Sequence, residues 1–155
     1  MDIGYKSHIG NLRAKNQDAY LVLEKSSAKV IILAVADGLS GHNAGEIASN
    51  IAVESIKEEF IENKDTLISR ANIIKTMKNS VFEANKKVYF KSLARPECSG
   101  MGTTLTMSYI YDNEVYIGHI GDSRAYFIQD SRLQQITEDD SLVNELIKNG
   151  SITVD

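Results

Sequence analysis

Apolar residues recur at three different periods along the chain, and that succession constrains the fold more than any other feature. Two short β-branched runs come first, at residues 20–23 and 30–36. The polar segment 24–29 between them is turn-like, so the pair reads as two strands joined by a turn. The second run is apolar at every position, which places it inside a sheet covered on at least one face. From Ala44 the spacing becomes three and four. Ala44, Ile47, Ala48, Ile51, Ala52, Ile56 and Phe60 trace one amphipathic helix, and Leu67, Ala71, Ile74, Met77, Val81, Ala84 and Val88 trace a second. Pro96, Gly100 and Gly102 mark a loop. Beyond it the period is two: Leu105, Met107, Tyr109 and Tyr111 alternate with Thr104, Thr106 and Ser108, and Asp112-Asn113 turns the chain into Val115, Ile117 and His119. Gly121-Asp122-Ser123 forms a further tight turn. Short strands follow over 125–129 and around 133–136, joined by Asp130-Ser131. A last helix is predicted over 142–149, capped by Asp140 or Ser141 and stopped at Gly150. Strands, then two helices, then antiparallel strands make a layered α+β plan, not an alternating βαβ one.

Composition excludes several classes. A chain of 155 residues argues for one domain. With 43% hydrophobic and 25% charged residues it has the makeup of a globular protein, not a disordered one. The single cysteine, Cys98, allows neither an intrachain disulfide nor a thiolate metal cluster, which suits a reducing compartment. The longest apolar run, 30–36, is far short of the ~20 residues a membrane helix needs. The opening MDIGYKSHIG lacks a basic patch followed by an apolar stretch, so no secretory signal is read there. A net charge of −4 without a segregated Lys/Arg cluster disfavours a nucleic-acid partner. The expectation is a cytoplasmic protein with no membrane and no nucleic-acid partner.

Carboxylates and glycines concentrate at strand ends. Asp18 follows GNLRAKNQ, Asp37 ends the most apolar run beside Gly38, and Asp122 sits in a turn. Any one of them alone is ordinary turn chemistry. Should the three converge, they form a site of hard oxygen ligands suited to Mg²⁺ or Mn²⁺, not to zinc or copper. Asp37, leaving a rigid strand, is the best placed for direct coordination. Taken singly, Arg13 reads as an exposed salt-bridge partner and His42 as a solvated helix-start residue. Arg124 competes with Arg13 for a phosphate but reads better as a brace for acidic neighbours. His119 reads as structural, His8 as an exposed strand residue, the acidic run 138–140 as a helix-capping segment, and Met101 and Met107 as core.

Five ordered segments, GNLRAKNQDAY, VADGLSGHNAGEIAS, SGMGTTLTM, IGHIGDSRAYFI and LQQITEDDSLVNELIKNGSIT, resemble the metal-dependent protein phosphatases of type 2C, the PPM family, particularly its small bacterial members. The resemblance implies a four-layer α-β-β-α sandwich of antiparallel sheets flanked by helix pairs. It implies hydrolysis of phosphoserine and phosphothreonine in proteins by water activated between two divalent metals, Mn²⁺ or Mg²⁺. Asp37 would bridge the metals, with the Gly38 carbonyl binding one of them. Arg13 would bind the substrate phosphate, and Asp18 would orient water from beside the metals. Asp122 would serve a weaker third metal, and His42 would assist proton transfer to the leaving group. A serine/threonine kinase is the implied physiological opponent. Such chemistry needs charge neutralisation and alignment more than a protein nucleophile, and Arg13 offers the planar fork that lysine lacks.

The chain departs from the family pattern in three places. Gln17 stands where many relatives carry glutamate, and Ser40 replaces the first of two glycines in the usual run. Relatives also continue beyond the point matching Asp155, with a flap, further strands and two more aspartate ligands. Residues 1–155 are therefore expected to form a type 2C phosphatase-like domain lacking the C-terminal part of the family fold, with little turnover on their own. The alternative function is a catalytically inactive phosphatase-like binding or regulatory domain.

Overall fold

The computed structural model describes residues 1–25, 30–39, 44–62, 69–141 and 150. Strand β1 (Asp18–Lys25) pairs antiparallel with β2 (Val30–Asp37), β2 with β3 (Leu105–Tyr111), and β3 with β4 (Glu114–Ile120). The four-stranded sheet has the order β1-β2-β3-β4. The all-apolar strand β2 is thus an interior strand, as its composition demands. Helices α1 (Gly45–Glu62) and α2 (Arg70–Ala94) pack against each other, with α1 over β1 and β2. Ser69 caps α2 by accepting the Asn72 N–H at 3.3 Å. A separate two-stranded ribbon joins β5 (Tyr126–Gln129) to β6 (Arg132–Gln135). The predicted antiparallel α+β plan is what forms. Of the four expected layers, the described residues supply one helix pair, a four-stranded sheet and the β5–β6 ribbon.

Both predicted two-residue turns adopt the left-handed backbone that matches strand twist. Asp112 and Asn113 have φ of 47° and 66°, and Asp130 and Ser131 have 50° and 61°. Two local expectations shift. The buried stripe of α2 runs through Ile73, Thr76, Met77, Ser80, Ala84 and Val88, while Ile74 is 37% exposed and Ala71 is exposed as well. Two adjacent isoleucines fit either phase, and the one buried is Ile73, on the face that also buries Thr76 and Ser80. Ser80 satisfies its own buried hydroxyl by donating to the Met77 carbonyl at 2.8 Å. His8 lies in irregular chain, not in a strand, and its Nδ1 accepts the Gly10 N–H at 2.9 Å. The predicted helix over 142–149, and Leu67, lie outside the described residues.

The sheet has two unlike faces. Toward the helices, Ile32, Ala34, Ala36, Met107 and Tyr109 meet Val53, Ile56, Phe60, Ile73 and Met77 in one core. Phe60 stacks on Tyr109 with ring centroids 5.5 Å apart, and burial pushes the Tyr109 phenol up to about 12. Toward the other face, β1 and β2 present Asp18, Tyr20, Leu33, Val35 and Asp37, the positions that alternate with the core residues.

Candidate metal and phosphate site

Asp18 lies directly opposite Asp37 at the end of the β1–β2 ladder, so register alone brings the two side chains together on the face away from the helices. The next residue explains why the strand must end in glycine. Gly38 donates its N–H to the Gln17 carbonyl at 3.1 Å, and a Cβ there would sit 2.7 Å from that oxygen and 2.3 Å from the Gly45 carbonyl. Only glycine lets the strand end press at once on the first motif and on the start of α1. Ser49 of α1 completes the junction by donating to the Gln17 carbonyl at 2.7 Å.

Asp37 is fixed through its main chain. Its N–H donates to Thr104 Oγ1 at 3.0 Å, and its carbonyl accepts from the Thr104 N–H at 2.9 Å and from Thr103 Oγ1 at 3.0 Å. Thr104 Oγ1 is also 2.7 Å from Ser123 Oγ, in the turn that carries Asp122. Electrostatics report the convergence. The Asp37 carboxyl is held above the usual carboxylate range, first by partial burial, then by the charge of Asp18 and a hydrogen bond with it, and then by Asp122; Arg13 pulls the other way. Asp18, Asp37 and Asp122 all remain exposed. A cleft of about 260 Å³ opens over Asp18 and Asp37, lined also by Lys6, Ser7, Tyr20, Val35 and by Ser123, the neighbour of Asp122.

Arg13, Asp18, Asp37, Gly38 and Asp122 are therefore brought into one neighbourhood. His42 and Ser40 lie outside the described residues. Arg124 is occupied elsewhere: Nε and Nη2 donate to the two Asp139 oxygens at 2.8 and 2.7 Å, and this fork holds Asp139 below the usual carboxylate range. Asp139 is thus taken by the arginine fork. His119 stands on the outer face with Nδ1 2.8 Å from Thr106 Oγ1. Lys6, Ser7, Thr104 and Ser123 escaped sequence reasoning. Thr104 had a signal, the SGMGTT segment, but there it reads as one member of a period-two strand.

Among the described residues no three His, Cys, Asp or Glu side chains converge closely enough to cage a metal by themselves. Two opposed carboxylates with a free carbonyl beside them nevertheless suit a hard cation that keeps several waters, as Mg²⁺ does. Their mutual repulsion, visible at Asp37, is what a divalent cation would relieve.

An antiparallel sheet with paired helices on one face and clustered aspartates at its strand ends on the other defines a class, and the sequence profile of protein phosphatase 2C matches residues 6–149. The chain belongs to that family. It is 35% identical over 153 residues to the serine/threonine phosphatase stp of Listeria monocytogenes serotype 4b, covering 99% of this chain and 60% of that protein. The structure of serine/threonine phosphatase Stp1 from Staphylococcus aureus superposes with a TM-score of 0.82 at 34% identity, over 94% of this chain and 56% of that one. The catalytic domain of serine/threonine protein phosphatase PstP, solved in complex with two manganese ions, gives 0.74 at 34% identity over 96% and 60%. The chain spans about three fifths of the length of these relatives. No helix among the described residues is long and apolar enough to cross a membrane.

Proposed function

We propose that residues 1–155 act as a type 2C phosphatase-like domain whose cleft binds the phosphate of phosphoserine and phosphothreonine proteins for metal-dependent hydrolysis. The observation that carries this reading is that Asp18 faces Asp37 across one rung of the ladder, with Asp122 and Arg13 near enough to act electrostatically on the same carboxyl. Asp37 and the Gly38 carbonyl are assigned to holding two Mn²⁺ or Mg²⁺ ions, and Asp122 to a weaker third. When bound, such cations neutralise phosphate charge and acidify water. Arg13 takes two phosphate oxygens in its planar fork, which orients the ester for in-line attack. Asp18 accepts a hydrogen bond from the attacking water and aims it. His42 hands a proton to the departing serine or threonine oxygen. The manganese in the PstP structure and the phosphatase names of the relatives support this assignment. By the same reading the opposing enzyme is a serine/threonine kinase, the compartment is the cytoplasm, and neither nucleic acid nor membrane is a partner.

A second reading is favoured by one observation, that the described residues lack a three-ligand metal cage. In it the domain binds phosphoproteins without turnover. The two separate on a phosphothreonine peptide given to the full-length gene product with Mn²⁺. Release of phosphate that stops with chelator, and falls about 10²–10³-fold on Asp37→Asn, supports the enzyme, since each tenfold is 1.36 kcal/mol and a metal contributes several. Hydrolysis without metal would refute it, and peptide binding with no release would establish the second reading.

A further inference from the structure

We infer that Thr104 is the positioning residue that sets the spacing between the Asp37 strand end and the Asp122 turn. Val35 pairs with Thr106, and an isolated bridge joins Gly38 to Thr103, so the same register puts Asp37 opposite Thr104. In a regular antiparallel ladder such a hydrogen-bonded pair exchanges two main-chain bonds. Here one of them is replaced. The Thr104 N–H does donate to the Asp37 carbonyl, but the Asp37 N–H donates to the Thr104 hydroxyl at 3.0 Å.

In that place the hydroxyl makes two bonds at once, because it has two acceptor lone pairs and one proton. It closes the ladder at Asp37 and also bonds Ser123 Oγ at 2.7 Å, one residue past Asp122. The threonine methyl takes the other flank. Gly121 has φ +106°, and a Cβ on it would lie 2.6 Å from Thr104 Cγ2. One side chain, 6% exposed, thus grips the main chain of Asp37 and both neighbours of Asp122. It touches no carboxylate itself, so its role is positioning, and it rests on the metal reading proposed above.

Valine at this position keeps the volume and deletes both hydroxyl bonds; serine keeps the hydroxyl and loses only the methyl. The test is Mn²⁺ titration by calorimetry on the full-length gene product, with melting midpoints measured alongside. Thr104→Val is expected to weaken Mn²⁺ binding about 10–100-fold, the usual effect of removing a group that orients metal ligands. Thr104→Ser, which keeps both hydroxyl bonds, is expected to regain most of the Mn²⁺ affinity that Thr104→Val loses. A folded Thr104→Val protein with unaltered Mn²⁺ affinity overturns the proposal, even if its melting midpoint drops, because that is the mark of a merely structural residue. Should Thr104→Val not fold, Ser123→Ala decides, since it cuts only the link to the Asp122 turn: weakened Mn²⁺ binding supports the proposal and unchanged binding overturns it. Failure of the metal reading itself shows differently, as Asp37→Asn binding Mn²⁺ as tightly as the unaltered protein.

Discussion

Along β2, Val30, Ile32, Ala34 and Ala36 face the helices and are buried, whereas Ile31, Leu33, Val35 and Asp37 alternate with them on the far side, where Val35 is 49% exposed. The same strand therefore belongs to two environments a few ångströms apart. The helix-facing side is closed by interlocking side chains and holds the fold. On the other side apolar residues give way, at the strand end, to Asp37 beside Asp18, two like charges that oppose folding and are tolerated because β1–β2 pairing and the Thr104 bonds hold them. Stability is gathered on one face and reactive strain on the other, and substitutions should sort accordingly.

The largest expected effect is on the buried face. Tyr109→Ala should cost about 3–5 kcal/mol in urea unfolding, as truncating a large buried aromatic does, because the ring stacks on Phe60 and approaches Tyr116. A loss below 1 kcal/mol would show that the core repacks around the gap. Next comes the outer face. Under the metal reading, Mn²⁺ at a hundredfold excess over its dissociation constant should stabilise the full-length gene product by about 2.7 kcal/mol, and Asp37→Asn should abolish that gain. Thermal melts with and without chelator measure it. A sharper contrast uses neighbouring positions on one strand: Ala34→Leu should cost about 1–3 kcal/mol by overpacking, while Val35→Thr stays within about 0.5 kcal/mol. Equal costs would erase the distinction between the faces.

The smallest effect is in pH dependence. Asp37 titrates above its unfolded value of 3.8 in the folded protein, so the folded state holds that proton more tightly. The resulting stability is complete below 3.8 and is lost as pH rises through the folded value. Without metal, the unaltered protein should therefore lose melting temperature relative to Asp37→Asn as pH rises across the acid range, and at neutral pH the variant should melt slightly higher. If the unaltered protein instead gains relative to the variant, Asp37 is not held at an electrostatic cost.

Much of this is legible in the sequence. The period changes marked both helices and the strands, and Asp-Asn and Asp-Ser named their turns because those side chains tolerate left-handed backbone. The ordered motifs pointed to Arg13, Asp18, Asp37, Gly38 and Asp122 as one group. What failed was phase and partnership. Ile73 and Ile74 are equally apolar, so only packing could choose between them. The helix that the run 138–140 is expected to cap lies outside the described residues, whereas the reading of Arg124 as a brace for acidic neighbours holds, since it grips Asp139 fifteen residues on. Thr104 passed as one residue of an alternating strand, since its hydroxyl matters only once Asp37 and Ser123 stand on either side of it.

By itself the sequence determined the local elements and the family, because these follow from short-range periodicity, backbone preference and motif order. Tertiary structure alone decided that Asp18 faces Asp37 across one rung, that Gly38 is wedged between Gln17 and Gly45, and that a threonine hydroxyl takes the place of a ladder carbonyl. Each of these depends on residues far apart in the chain meeting at hydrogen-bond distance. Register and packing fix such distances, and no local pattern encodes them.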